Sequence, residues 1–288
     1  MAATWSWLGG SDGNAASAPA NWDLISSLGP PPDLPSIEDF VTINIGTVVV
    51  SDYTLGAAQV DFNGGSVTVT TGGTWDVANK LTMGTANLLI DGGGTVAVSF
   101  PEGTFSGLFD DVGGGTISVD GIGSSLSVNN GGQLALGIDG TSVLDVSSGG
   151  SVLVNNLLSL GGGTLGSGVV AVSDGSQVQE TALALSNGST VSVDATSTML
   201  IGTGGSAVAG AVVVNNDDLN ADGGTIAGSV VNDAPGVAAP PGQIVANGSM
   251  VVSGSLEITG NLSGTGLVNI ENDGVLQVDG TVAPASGG

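Results

Sequence analysis

The chain has 288 residues, of which 52 are glycine, and it carries 26 Asp and Glu against a single basic residue, Lys80, with no His and no Cys. A net charge of −25 at pH 7 repels nucleic acid and acidic membrane surfaces, so neither is an expected partner. Ser–His triads, thiol nucleophiles and zinc sites built from His or Cys are excluded because their residues are absent.

Residues 1–40 differ from the rest of the chain, because they hold Trp5, Trp7 and Trp22 together with the proline run 30–32. The first coil of a repeat protein exposes an apolar face, and large aromatic side chains cover such a face efficiently. We therefore predict an N-terminal capping segment over 1–40 with these three tryptophans as the cap. Sugar stacking on exposed tryptophans is the alternative.

One short sequence motif, which we call the repeated phrase, then recurs from about residue 41 to residue 280. It consists of a glycine turn, Ser or Thr, and a triplet with apolar outer residues. Its copies lie at 64–69, 93–98, 114–119, 149–154, 188–193, 254–258 and 274–278. Short strands after regularly spaced glycine turns predict an all-β parallel β-helix, or β-solenoid, over 41–280. We expect roughly ten coils of about 20–30 residues with three strands each, and a flexible tail over 281–288. A β-sandwich array is the alternative fold.

Asparagine recurs beside the predicted turns, where it tolerates a positive φ almost as well as glycine does. Examples are 129–130, 155–156, 187, 215–216 and 247. Asparagines stacked at equivalent corners can form side-chain amide ladders. We therefore expect these residues to serve the structure.

Two segments interrupt the repeat, one at 100–111 and a proline-rich one at 233–242. Insertions in solenoids map to loops that often lie on the binding face. The segment at 100–111 therefore predicts an interaction loop made by Phe100, Phe105, Phe109, Asp110 and Asp111. The alternative is a flap that packs its phenylalanines over the outside of a coil.

The densest run of oxygen ligands lies at 215–224, and calcium prefers carboxylate, amide and carbonyl oxygens. Asp217, Asp218 and Asp222 are therefore candidate calcium ligands, although the run matches neither an EF-hand loop nor the nonapeptide of calcium-bound β-rolls. Solvated turns are the alternative.

No other cofactor and no catalytic residue is predicted. Glycoside hydrolysis needs two carboxylates that face each other across a cleft. The adjacent pairs Asp110–Asp111 and Asp217–Asp218 do not provide this, because neighbours on a strand point to opposite faces. An enzyme is therefore not expected.

Two motifs resemble those of bacterial passenger proteins built from autotransporter-type β-strand repeats. The first is the Trp- and Gly-rich start at 4–11, followed by the Ala-Asn-Trp-Asp run at 20–23. The second is Gly-Asn-Leu-Ser-Gly-Thr-Gly-Leu-Val-Asn-Ile at 260–270. This resemblance implies a β-helix displayed at the cell surface or secreted, with roles in adhesion, cell–cell association or matrix building.

The expected function is thus a non-enzymatic, extracellular structural or adhesive module whose partners are cell-surface or matrix components, glycans among them. The alternatives are a glycan-binding or glycan-hydrolysing β-helix, and a filament subunit that self-associates through its C-terminal coil. The sequence shows no cleavable signal peptide and no apolar run long enough for a transmembrane segment. Export through a C-terminal signal, a chain that is a fragment, or a cytoplasmic protein would each explain the missing signal peptide, and the first two are preferred.

Overall fold

Every regular element that the structure describes is a β-strand, and thirty strands are present, β1 to β30. The computed structural model describes residues 3–8, 16–17, 21–27, 34–99, 108–111, 114–161, 166–185, 189–194, 197–201, 211–214, 218–222, 225–227, 229–231, 243–245, 249–252, 255–258, 261–264, 267–270, 275–278 and 281–284. Within these ranges no helix is long and apolar enough to cross a membrane.

Ten strands form one continuous parallel sheet, which we call the first face. They are β4 (Thr47–Val50), β6 (Ser66–Val69), β8 (Asn87–Ile90), β11 (Thr116–Asp120), β14 (Thr141–Ser147), β16 (Ser167–Val172), β18 (Thr190–Asp194), β21 (Asp218–Asp222), β25 (Ser249–Val252) and β28 (Leu267–Ile270). Paired residues in neighbouring strands are between 18 and 31 positions apart in the chain, as Met250 with Val268 and Leu219 with Met250 show. Each strand of this face therefore belongs to a successive coil.

A second sheet of seventeen strands supplies the other two sides of the coil, which we call the second and third faces. The second face contains β9 (Thr95–Ser99), β12 (Ser125–Asn129), β19 (Thr198–Ile201), β22 (Thr225–Ala227), β26 (Ser255–Ile258) and β29 (Val275–Val278). The third face contains β1 (Ala3–Trp7), β2 (Trp22–Ser27), β3 (Phe40–Ile43), β10 (Leu108–Asp111), β13 (Gln133–Leu136), β20 (Ala211–Val214) and β23 (Ser229–Val231). A separate sheet contains β24 (Gln243–Val245), β27 (Asn261–Gly264) and β30 (Val282–Pro284).

Four longer strands run through the corner between the second and third faces and so join them. They are β5 (Thr54–Phe62), β7 (Thr74–Met83), β15 (Ser151–Leu160) and β17 (Gln177–Leu185). The pairing register shifts at this corner, between Ala57 and Gln59 on β5 and between Val154 and Leu157 on β15. The fold is therefore an all-β parallel β-helix, and the predicted fold class is confirmed.

The core follows from the alternation of each triplet. Successive side chains of a strand point to opposite faces, and the outer residues of the triplets are the buried ones. In β9, for example, Val96 and Val98 are buried while Ala97 between them is partly exposed. The same alternation holds in β6 and β11, so the interior is a continuous stack made mostly of Val, Leu and Ile.

The glycine turn of the repeated phrase has two separate steric reasons, as the corner before β15 shows. Ser148 and Gly149 both have positive φ, at 54° and 83°, and the N–H of Gly150 donates to the carbonyl oxygen of Ser147 to close the turn. A Cβ on Gly150 would lie 2.3 Å from the carbonyl oxygen of Val119 in the preceding coil. At this corner the first position of the phrase therefore needs a left-handed backbone, whereas the second, Gly150, has no room for a side chain.

At the N-terminal end the parallel order stops. Strand β1 pairs in parallel with β3 on one side, and on the other side it pairs antiparallel with β2. Trp5, Trp7 and Trp22 are buried in the core at this end, and the rings of Trp7 and Trp22 meet edge to face with centroids 4.9 Å apart. The indole Nε1 of Trp22 donates to the carbonyl oxygen of Ala16 at 2.9 Å. The three tryptophans thus lie in the core at this end, and the capping role of 1–40 stays a prediction.

At the other end, strand β30 lies within the segment 281–288 for which a tail is predicted. Val282–Pro284 pair in parallel with β27, so the stack of strands continues past residue 280.

Candidate interaction surface

A row of hydroxyl side chains runs along the outside of the second face, and we call it the hydroxyl row. It consists of Thr54, Thr74, Thr95, Ser125 and Ser151, each paired in register with the next. These residues open their strands and occupy outward positions, since the residue that follows each of them is buried. Neighbouring residues of the row lie about one strand spacing, roughly 4.8 Å, apart along the backbone.

Hydroxyls of the hydroxyl row, and those at the equivalent outward positions of the first face, satisfy part of their hydrogen-bonding capacity through each other. Thr95 Oγ1 donates to Thr74 Oγ1 at 3.1 Å on the second face. On the first face, Thr47 and Ser66 share a hydrogen bond of 3.0 Å. Because a hydroxyl is one donor and two acceptors, each row keeps capacity for an uncharged polar ligand or for water.

Carboxylates mark the corner between the first and second faces. Asp52, Asp91, Asp120 and Asp174 lie at the ends of β4, β8, β11 and β16 or within two residues after them, and we call this set the acidic corner. Asp52 and Asp174 are exposed and have positive φ, at 51° and 55°. No group of three or more His, Cys, Asp or Glu side chains capable of holding a metal ion occurs among the described residues.

Two carboxylates of the outer surface differ in their electrostatics. Hydrogen bonds from Ser147 and Ser148 lower the pKa of Asp120, and Ser147 Oγ donates to Asp120 Oδ1 at 2.8 Å. Burial raises the pKa of Asp76, which follows Trp75 on the second face. Hydrogen bonding favours the charged form of a carboxyl and desolvation disfavours it, so the two shifts have opposite signs.

The predicted interaction loop is only partly described, and its described part is a strand. Leu108–Asp111 form β10 of the third face, where Phe109 pairs with Leu81 of β7 and with Leu134 of β13. Both of these leucines are buried, so Phe109 holds the register position of an inward residue. Asp110 and Asp111 continue the same strand. Phe100 and Phe105 lie outside the described residues.

The candidate calcium ligands are also partly described. Asp218 and Asp222 begin and end β21, where they pair with Thr190 and Asp194 of β18, and Asp217 lies outside the described residues. Four residues along a strand span about 13 Å between Cα atoms. That distance is too long for one calcium ion, which binds oxygens at about 2.3–2.6 Å, to be held by both carboxylates.

None of the four tryptophans offers a ring for sugar stacking. Trp75, like the three N-terminal tryptophans, is buried, and it lies between Leu55 and Val96 in the inward column of the second face. The alternative that assigned the tryptophans to carbohydrate stacking is therefore wrong for these side chains.

One of the amide contacts expected at the corners is present: Asn155 Nδ2 donates to Asn129 Oδ1 of the preceding coil at 3.3 Å, as predicted. A second pair was not predicted, in which Asn63 Nδ2 donates to Asn44 Oδ1 at 3.0 Å. The predicted asparagines at 187, 215–216 and 247 lie outside the described residues.

A set of buried serines was not predicted from the sequence. Ser124 Oγ accepts from the N–H of Gly93 at 3.0 Å, and Ser176 Oγ accepts from the N–H of Gly149 at 3.1 Å. Each serine thus binds the backbone of the preceding coil. The sequence contained a weak signal for these buried serines, because serine replaces the second glycine of the repeated phrase at these coils.

Glu180 is the second feature that was missed. It lies on an inward position of β17 and is 1% exposed. Its residue type and its polar neighbours Gln179 and Thr181 predict a surface position, and only the alternation after the buried Val178 places it on the inward face.

No protein-family model, no curated protein and no solved structure matches this chain. The resemblance to autotransporter-type passenger proteins therefore stays a prediction.

Proposed function

We propose that this protein is a non-enzymatic, extracellular β-solenoid that acts as a rigid structural or adhesive module at a cell surface or in a matrix. The observation that carries the proposal is the uninterrupted inward column of the second face. In this column Leu55, Trp75, Val96, Leu126, Val152, Val178 and Met199 follow each other in register through successive coils, and all are buried.

Rigidity follows from this arrangement. Every coil is joined to the next by parallel backbone ladders on each face and by shared apolar contacts, so bending the rod would break contacts at several levels at once. Ten strands at about 4.8 Å give the first face a length of roughly 45 Å. A rigid rod of this kind acts as a spacer, because it keeps the groups attached to its two ends at a fixed distance from each other.

The adhesive part of the proposal is supported by the hydroxyl row. It repeats one type of polar group at each coil, and repetition of a weak contact along a rigid surface raises the overall affinity through multivalency. The row is uncharged within a strongly acidic protein, so it suits neutral polar partners such as glycans better than acidic ones.

Adhesion of beads that carry the full chain tests this directly. The beads would be applied to immobilised cell-surface glycans and matrix proteins, and bound beads would be counted after washing. The variant T74K/S125K, which changes the hydroxyl row, should lower adhesion strongly. The control T47K/T116K makes the same change of charge on the first face and should not. An equal loss of adhesion in both variants would assign the effect to charge. Adhesion at the wild-type level in both variants would remove the hydroxyl row from the proposal.

Electron microscopy of the purified chain, with and without calcium, tests the structural part. Single short rods would support a spacer or an adhesin. Rods joined end to end would favour the filament alternative, in which case sedimentation should show a concentration-dependent increase in mass. Release of reducing ends from polysaccharides would contradict a non-enzymatic role.

A further inference from the structure

Glu180 places a carboxyl group inside the coil stack. On β17 it pairs in register with Val154 of β15 and with Ile201 of β19. The same column holds Ala57, Val77, Val98, Val128 and Val154 in the preceding coils, and all of these are buried. Both carboxyl oxygens of Glu180 are buried without a hydrogen-bond partner among the described residues.

Among the described residues, the strands that contact β17 most extensively provide no charge to compensate for this carboxyl group. These strands are β15, β16, β19 and β20, and their sequences contain no Asp, Glu or Lys. On β17 itself Glu180 is the only titratable residue. An ionised carboxylate in such surroundings is strongly unfavourable, because it has lost its water and gained no partner.

The protonation state follows from burial. Desolvation raises the pKa of Glu180 well above its usual range. The group therefore enters the closed core as a neutral acid, and it must take up a proton that the same group does not hold in an open chain near neutral pH.

The position of Glu180 gives the ionised form a short route to water. The pairing register shifts between Val154 and Leu157, so that Asn155 and Asn156 of β15 lie opposite the single residue Thr181 of β17. Asn155 is exposed at this corner. Glu180 is thus the last residue of the second face before the bend, and a local opening of the bend is enough to expose it.

We propose that Glu180 makes the coil at β17 a pH-operated opening point: the coil stays closed on its neighbours at acidic pH and opens as the pH rises. The sign follows from linkage. A carboxyl group with a raised pKa in the closed state stabilises that state fully below its open-state pKa of about 4.3, and this stabilisation is lost as the pH rises to the closed-state pKa. Between these two values the opening constant increases by up to about tenfold per pH unit.

Hydrogen exchange of the full chain, read by mass spectrometry from about pH 4 to about pH 8 and corrected for the intrinsic exchange rate, measures the opening constant of β17 and β19. The wild-type chain should show an opening constant that increases with pH in these strands, whereas β6, which contains no titratable residue, serves as an internal reference. Glu180→Val restores the residue type found at Val128 and Val154, and it should make exchange slower and independent of pH.

The overall charge of the chain is the main competing cause of a pH effect, and a swap variant controls for it. Q179E/E180V keeps the composition of charged residues and moves the carboxylate to the neighbouring outward position. Loss of the pH dependence in this variant would support the proposal. If Q179E/E180V kept the wild-type dependence, or if wild-type exchange at β17 did not change with pH, the proposal would be overturned.

Glu180→Gln provides a second test that does not depend on filling the core with an apolar residue. It keeps the size and polarity of the side chain and removes only the titration. Its opening constant at β17 should be independent of pH, and a wild-type slope in this variant would contradict the proposal.

Discussion

Strands β7 and β17 occupy equivalent places in two coils, and each buries polar side-chain atoms that have no hydrogen-bond partner among the described residues. In β7 these are the indole Nε1 of Trp75 and Oγ1 of Thr82, and in β17 they are the two carboxyl oxygens of Glu180. Both strands turn the same corner and keep the same ladders to their neighbours. The coil shape therefore does not require a wholly apolar interior at every level, because the backbone ladders and the remaining inward residues maintain it.

The indole of Trp75 and the carboxyl group of Glu180 differ in how they respond to solvent. An indole N–H is never charged near neutral pH, so its desolvation cost is constant, whereas a carboxyl group can lose its proton and then cannot remain in an apolar core. The buried indole of Trp75 thus adds no pH dependence to its coil, whereas the coil at β17 is expected to be stable only below the pKa of its buried acid. All four tryptophans lie in the N-terminal coils or their cap, so tryptophan fluorescence reports on that region.

Transferring the acid to the N-terminal coils should have the largest effect. Val77→Glu puts a carboxyl group at the position of β7 that is equivalent to Glu180, and we expect a loss of about 3–5 kcal/mol in the free energy of unfolding at neutral pH. Urea unfolding followed by tryptophan fluorescence measures this loss. It should be smaller at pH values below about 4.3, where the carboxyl group is neutral.

The control for this change is Val49→Glu, which adds the same charge at an outward, partly exposed position of β4. We expect its effect to stay within about 0.5 kcal/mol. Equal losses in the two variants would show that added charge, and not burial, destabilises the chain.

Removing a serine bridge between coils should have an intermediate effect. Ser124→Ala deletes the acceptor for the N–H of Gly93, which then lies part-buried without this partner, and we expect a loss of about 1–3 kcal/mol. Ser125→Ala removes a hydroxyl from the adjacent outward position and should change the stability much less. Urea unfolding followed by tryptophan fluorescence measures the free energy of unfolding of both variants. A larger loss in Ser125→Ala would contradict the role given to the buried serine.

The hydrogen bonds of Asp120 should contribute little, because its carboxyl group is almost fully in contact with solvent, where screening is strong. Asp120→Asn should lower the stability at neutral pH by less than about 1 kcal/mol. Since the pKa of Asp120 is lowered in the folded state, its contribution is present above the unfolded pKa of about 3.9 and is lost as the pH falls through the folded pKa. The difference in Tm between the wild type and this variant should therefore vanish in acid.

Calcium should act on this chain mainly through ionic strength. Both calcium and sodium should raise Tm by screening the net charge of −25, and at matched ionic strength the two shifts should be equal. A greater shift with calcium that disappears in D218N/D222N would instead confirm the predicted site at 217–222.

Much of the fold was predictable because the repeated phrase encodes two local rules. A glycine turn followed by an alternating triplet specifies both where the chain bends and which side chains face inward, and β6, β9 and β11 follow this rule as expected. The position of Phe109 in a strand was not predictable in this way, because the flanking Phe- and Gly-rich segment contains no copy of the phrase. The choice between cap and sugar site for the tryptophans also depended on burial, which composition does not give.

The amino-acid sequence by itself determined the class of fold, the extreme acidity and the absence of residues for several kinds of catalysis. Periodicity and composition are local properties that every coil repeats, and they can be counted without coordinates. Only the tertiary structure decided which residues of different coils lie in register. It joined Ser124 to Gly93, ended the stack at β2 and put Glu180 over Val154. These contacts depend on the length of each coil and on the register shift at each corner. Both are set by many residues together, so no single segment of the sequence reveals them.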